Sequence, residues 1–304
     1  MDTVWLLLPD LTLIAIGFAL NRSFIRDAAF WPVLEKLTYF VLFPALLFVT
    51  VSRTPIDPQL AGPALGAVLG AIAAGMVLGY LAQPILKPDA RQFASGVQCA
   101  FRFNSYVFLA LSHRLAGEAG LSLAAVIIGV AVPPINVAAV WPLARNAGGG
   151  IARELVRNPL LVATVAGLAA NLLGLRLPSL AATTFERLGS ASLVLGLLSA
   201  GAGLRLGAFT SADRRAQSKT LTLATWFVAV KLAAMPAIAL LLARWLDLPP
   251  LSAQIVVAYA ALPTAPASYI LASRMGGDGA FVALLVSATL IASALALPFW
   301  IALA

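Results

Sequence analysis

The sequence predicts an all-α integral membrane protein of ten transmembrane helices, built as two inverted five-helix repeats. Three observations predict it. The 304-residue chain is 61% hydrophobic and only 11% charged, where a soluble domain carries roughly 45–50% and 25%, so its apolar surface exceeds what one core can hide. Ten apolar stretches are each close to the length that crosses a hydrocarbon layer. The first half of the chain can also be laid on the second with an offset near 150 residues.

An α-helix rises about 1.5 Å per residue, so about 20 apolar residues cross a hydrocarbon core of about 30 Å. The stretches are 3–20, 30–51, 60–82, 92–112, 121–143, 158–174, 183–204, 219–245, 252–273 and 281–303. Turn residues and charges separate them: Asn21-Arg22, Ser52 to Pro55, Gln83 to Arg91, Arg145 to Arg157, Arg176 to Pro178, and Ser211 to Lys219. The sixth is short, and the fourth and ninth are interrupted. With both termini outside, the inner loops hold Arg22, Arg26, Lys87, Arg91, Arg145, Arg153, Arg157, Arg205, Arg214, Arg215, Lys219 and Arg274. The outer loops and helix ends hold Arg53, Arg114, Arg176, Arg187 and Arg244. Twelve basic residues against five is the positive-inside bias of a plasma-membrane protein. The first repeat is 1–143, a cytoplasmic linker follows at 144–157, and the second repeat is 158–304.

The remaining composition excludes several classes. The net charge of +8 is scattered between apolar stretches and does not gather into a nucleic-acid-binding face. Cys99 is the single cysteine and His113 the single histidine, so neither a disulfide nor a zinc site has ligands to draw on. No cofactor motif and no catalytic constellation is present. The first apolar stretch lacks the basic segment that precedes the core of a cleavable signal peptide.

The repeat carries the functional inference. Pro9, Gly17 and Asn21 fall on Pro159, Gly167 and Asn171, and Leu34-Glu35-Lys36-Leu37 falls on Phe185-Glu186-Arg187-Leu188. Further on the offset is 160, where Arg114-Leu115-Ala116-Gly117-Glu118 meets Arg274-Met275-Gly276-Gly277-Asp278. Five helices per half is an odd number, so the second half sits inverted, the arrangement that gives secondary transporters two near-equivalent conformations.

The fourth stretch contains Phe101-Arg102-Phe103-Asn104-Ser105-Tyr106 and the ninth Ala261-Leu262-Pro263-Thr264-Ala265-Pro266, equivalent at the offset of 160. Proline removes a donor and interrupts the helix, so Pro263 and Pro266 either kink the ninth helix or break it. Broken helices at equivalent places mark a substrate site, and the N-termini of half-helices suit anions. Arg102 and Lys231 are charges inside spans, which makes them functional candidates by default. Either could balance a carboxylate substrate or be paired structurally. Asn136, after Pro133-Pro134, could hydrogen-bond substrate or satisfy a freed carbonyl. The candidate substrate residues are Arg102, Phe103, Asn104, Ser105, Asn136, Lys231, Pro263, Thr264 and Pro266, with Gln98 and Tyr259 as weaker polar candidates. No metal-binding residues are expected.

Four short motifs resemble the auxin efflux carrier family, which includes plant auxin carriers and bacterial malate permease-like proteins. Phe103-Asn104-Ser105 resembles its Pro-Asn-Thr or Gly-Asn-Thr/Ser, Arg157-Asn158-Pro159 its Arg-Asn-Pro, Leu198-Ser199-Ala200-Gly201 with Leu204 its small-residue run, and Ala261-Leu262-Pro263-Thr264 its Leu-Pro segment. The resemblance implies a scaffold of helices 1, 2, 6 and 7 that forms a homodimer. It also implies a mobile unit of helices 3–5 and 8–10, in which the broken helices 4 and 9 cross. It implies an elevator-type carrier of an organic carboxylate, such as malate or an auxin-like acid, in a bacterial inner membrane. Phe103 departs from the plant pattern, which has proline there, and Arg102 is not part of it. The alternatives are a sodium- or proton-coupled carrier of the bile acid symporter or antiporter type, and a passive channel. A membrane enzyme would need a Ser/His pair or paired aspartates. The expected partners are a small organic anion and the lipid bilayer, with no nucleic acid.

Overall fold

The computed structural model describes residues 2–27, 29–53, 58–146, 157–203 and 214–304. Most of the 144–157 linker, with Arg153, and the pair Leu204 and Arg205 lie outside the described residues. Every element among the described residues is a helix. In chain order they are α1 (Asp2–Arg22), α2 (Phe30–Arg53), α3 (Pro58–Leu86), α4 (Ala90–Gly96), α5 (Ser105–Asn146), α6 (Pro159–Leu172), α7 (Ser179–Gly203), α8 (214–245), α9 (Pro250–Ala261), α10 (Ala267–Arg274) and α11 (Gly279–Leu303).

Among the described residues, five segments are long and apolar enough to cross a membrane: Phe30–Arg53, Gly62–Leu86, Val126–Asn146, Gln217–Trp245 and Gly279–Leu303. The first expected stretch is the 21-residue α1, and the others map onto shorter, less apolar or interrupted helices. The sixth is the 14-residue α6. The seventh, α7, is long but rich in Gly and Ser and carries Glu186 and Arg187. The fourth and ninth are each split in two, between α4 and α5 and between α9 and α10. α5 itself leaves helical geometry at Ala116 and Gly117, so its two arms, 105–115 and 118–146, correspond to parts of the fourth and fifth stretches. Lipid-facing surface is plain on α11, where Ile291, Leu295 and Phe299 are exposed in one stripe, four residues apart as a helix face requires.

Prolines inside these helices free backbone carbonyls, which must be satisfied where water is absent. Pro236 follows a π-helical turn at Val230–Ala234, and the Leu232 carbonyl four residues before it accepts from Trp300 Nε1 of α11 at 2.8 Å. Pro142 likewise frees the Ala138 carbonyl, which accepts from Tyr80 Oη of α3 at 2.9 Å. Two cross-helix bonds therefore take the place of the two lost helical ones.

Two extensive helix pairings are α1 with α7 and α2 with α6. Both rest on a glycine where backbones touch. A methyl group at Gly17 would collide with the Leu198 carbonyl, and one at Gly167 would crowd the Phe48 carbonyl. One turn on, Asn21 Nδ2 donates to the Ala202 carbonyl at 2.8 Å, and Asn171 Nδ2 to the Val51 carbonyl at 2.9 Å. Gly17 and Asn21 are the residues that the offset of 150 lays on Gly167 and Asn171. α7 also packs across α2, whereas α3, α8, α9 and α11 pack on one another around α9, whose residues Ile255 to Leu262 are at most 1% exposed. An ion pair between Arg53 and Glu186 ties α2 to α7 on the surface. Exposed pairs contribute about 0–1 kcal/mol, so Glu186→Gln should lower the thermal midpoint of the detergent-purified protein only slightly.

Candidate functional site

The two interrupted spans meet at their breaks. α4 starts on Asp89, whose carboxylate accepts from the Arg91 and Gln92 amides at 3.0 Å. It tightens into a 3₁₀ turn at Val97–Ala100 and stops at Phe101. α9 stops where Leu262 turns extended. Between the breaks, the Asn104 amide donates to the Pro263 carbonyl at 3.0 Å. The Thr264 hydroxyl donates to the Cys99 carbonyl at 2.9 Å, and its amide donates to Thr289 Oγ1 at 3.2 Å. Polar groups freed by one break are thus satisfied by the other break and by α11, as a non-aqueous interior demands.

The break in the first half has no proline. Phe103 instead packs its ring on Tyr259 at 4.5 Å and on Phe108 at 6.1 Å. Asn104 Oδ1 accepts from the Val107 amide at 3.3 Å, capping the first turn of α5 in the way that makes Asn a preferred helix start.

A cavity of about 70 Å³ opens beside the breaks. Its lining includes Arg102, Phe103, Asn104 and Ser105 from the first break, Ala265, Pro266 and Ala267 from the second, and Val132, Ile135 and Asn136 from α5. Phe43, Leu46 and Leu47 of α2 and Leu160 of α6 form the opposite wall. Ser105 opens α5 and Ala267 opens α10, so the N-terminal ends of two half-helices border the space, where free N–H groups and the helix dipole favour negative charge.

Arg102 is 5% exposed. Its guanidinium donates to Gln98 Oε1 and to Asn136 Oδ1, each at 3.0 Å, and among the described residues no carboxylate pairs with it. Asn136 passes the connection on: its Nδ2 donates to Thr164 Oγ1 of α6 at 3.0 Å, and that hydroxyl donates to the Leu160 carbonyl at 2.7 Å. Gln98 Nε2 donates to the Ser95 and Ser268 carbonyls, at 3.0 and 3.3 Å. A buried cation bonded, among the described residues, to neutral amides borders a cavity with room for a few waters or a carboxylate group.

Six of the nine candidate residues, Arg102, Phe103, Asn104, Ser105, Asn136 and Pro266, line this cavity. Pro263 and Thr264 stand behind it, joining the two breaks. Lys231 does not reach it. It is fully buried, and its ammonium donates to the Ala260 carbonyl at 2.9 Å, at the C-terminal end of α9 where a cation complements the helix dipole. Tyr259 contributes its ring and not its hydroxyl, while Gln98 holds Arg102. Thr164 and the apolar wall from α2 and α6 were not among the candidates. A lone Thr or Leu in an apolar helix carries no local signal, and only the packing brings these residues to the breaks.

The family of membrane transport proteins matches residues 142–301, just over half of the chain. The matched segment includes Lys231, Pro263, Thr264 and Pro266, whereas Arg102 to Ser105 and Asn136 precede it. No curated protein matches the chain.

Proposed function

The chain belongs to the auxin efflux carrier family of membrane transport proteins, and from that premise we propose that it is a secondary carrier for a small organic carboxylate, such as malate or an auxin-like acid. The observation that carries the reading is Arg102, a buried guanidinium that borders a cavity and has no carboxylate partner among the described residues. Placing a charge at membrane depth costs about 3 kcal/mol even on insertion scales. An anionic substrate offsets that cost, and two half-helix N-termini add to the attraction.

In this reading the chain makes ten crossings as two inverted repeats in a bacterial inner membrane, with both termini outside. The equivalent roles of Gly17 and Gly167, and of Asn21 and Asn171, support the repeat. The body of α1, α2, α6 and α7 is a fixed scaffold, against which the unit holding the two breaks moves as an elevator. Val162 and Val165, exposed along α6, offer surface on which a second copy of the scaffold would pack.

Uptake of labelled malate and of labelled indole-acetate into proteoliposomes tests this, with and without an imposed membrane potential. One of the two labels should enter saturably in the wild type. Asn104→Ala removes the cap of α5 at the cavity edge and should cut that uptake about tenfold or more, a cap and a lining group being lost together. Non-saturable flux, equal in both proteins, would speak for a passive pore.

A further inference from the structure

The chain of hydrogen bonds that starts at the cavity ends on the opposite body of the protein. Its direction is chemically determined. A guanidinium can only donate, so Arg102 obliges Asn136 to present Oδ1, and the Nδ2 group is thereby turned toward Thr164. Thr164 spends its proton on the Leu160 carbonyl, which leaves Oγ1 as the acceptor. Gln98, Asn136 and Thr164 are each at most 2% exposed, so bulk solvent does not reach these bonds. Arg102 and Asn136 line the cavity and belong to the unit that carries the breaks, whereas Thr164 belongs to α6.

The geometry points to a substrate-operated latch: Asn136 and Thr164 hold the empty mobile unit against the scaffold, and a carboxylate arriving at Arg102 opens the hold. The inference rests on the carrier reading above. A carboxylate binds a guanidinium more strongly than an amide oxygen does, because both partners are charged. It therefore displaces Asn136 Oδ1 and offers the amide Nδ2 a charged acceptor in place of the Thr164 hydroxyl. Among the described residues, Tyr269 Oη to Glu35 at 2.7 Å and Asn158 Nδ2 to Met275 Sδ at 3.7 Å also join the same bodies. None of those four residues lines the cavity, whereas Asn136 does, so the Thr164 bond is one that a ligand there can break. Thr164 is a positioning residue in this scheme and need not touch substrate.

A latched empty carrier returns slowly, so exchange outpaces net transport. Proteoliposomes loaded with labelled malate, or with indole-acetate if that is the label transported, should release it faster when the same unlabelled acid is outside than when it is absent. Thr164→Val keeps the side-chain shape but removes the hydroxyl. It should raise net release about fivefold, the weight of one net hydrogen bond, and bring the ratio of exchange to net release toward one. Thr164→Ser, which keeps the hydroxyl, should retain the wild-type ratio. A wild type without trans-stimulation overturns the latch whichever variants fold. So does a transport-competent Thr164→Val with an unchanged ratio. Absence of any flux of either acid would instead overturn the carrier reading itself.

Discussion

Replacing Arg102 by Gln is expected to raise the half-saturating concentration for the transported carboxylate about 10- to 100-fold, with the protein still folded and monodisperse. The size follows from a charged hydrogen bond, about 1.5–3 kcal/mol, at 1.4 kcal/mol per factor of ten. The glutamine side chain keeps an amide donor but is shorter than the guanidinium, so the interior loses its charge and part of its polar connectivity. Arg102→Lys restores the charge but not the planar fork that meets a carboxylate with two parallel bonds, so it should recover only part of the affinity. The measurement is the concentration dependence of initial uptake in proteoliposomes for wild type and both variants. An unchanged half-saturating concentration in Arg102→Gln would remove the guanidinium from the substrate site and leave it a structural cation of the fourth span.

The second large effect is on the α1–α7 pair. Gly17→Leu places side-chain atoms where the Leu198 carbonyl now lies. The obstacle is backbone of a neighbouring helix, which cannot rotate aside as a side chain would, so the α1–α7 pair must separate. Overpacking costs typically 1–3 kcal/mol, and this site belongs at the top of that range. The bond from Asn21 to the Ala202 carbonyl is made one turn away and would be lost with it. The expected result is a fall of several degrees in thermal midpoint, or no recoverable monodisperse protein, in detergent size-exclusion chromatography. Gly66→Ala in α3, where a methyl meets open space, is the matched control and should behave as wild type. An unaffected Gly17→Leu would show that α1 and α7 are not held by that backbone contact.

Much of this protein was legible in its sequence because the membrane imposes rules that act locally. Length and hydropathy decide which stretches can cross, and they identified the regions of the five long helices. Pro263 and Pro266 announced the break in the ninth span because a missing N–H is a property of the residue alone. Asn104 was legible from the alignment of the two interrupted stretches at an offset of 160, and Arg102 as a costly charge in an apolar setting.

Other features followed only from the packing. Phe103 carries no helix-breaking chemistry, and its break depends on the rings of Tyr259 and Phe108 and on the Asn104 to Pro263 bond. Lys231 and Arg102 look alike as buried cations, yet the first neutralises the end of α9 and the second faces the cavity. Thr264 stands at the break but spends its hydroxyl on Cys99. Thr164, 60 residues from Asn104 in the chain, joins the site through Asn136. The sequence by itself determined which groups the bilayer would not tolerate without a partner. The tertiary structure decided which partner each one has, because hydrogen bonds and ring contacts form over about 3 to 6 Å in space, a distance that sequence separation does not encode.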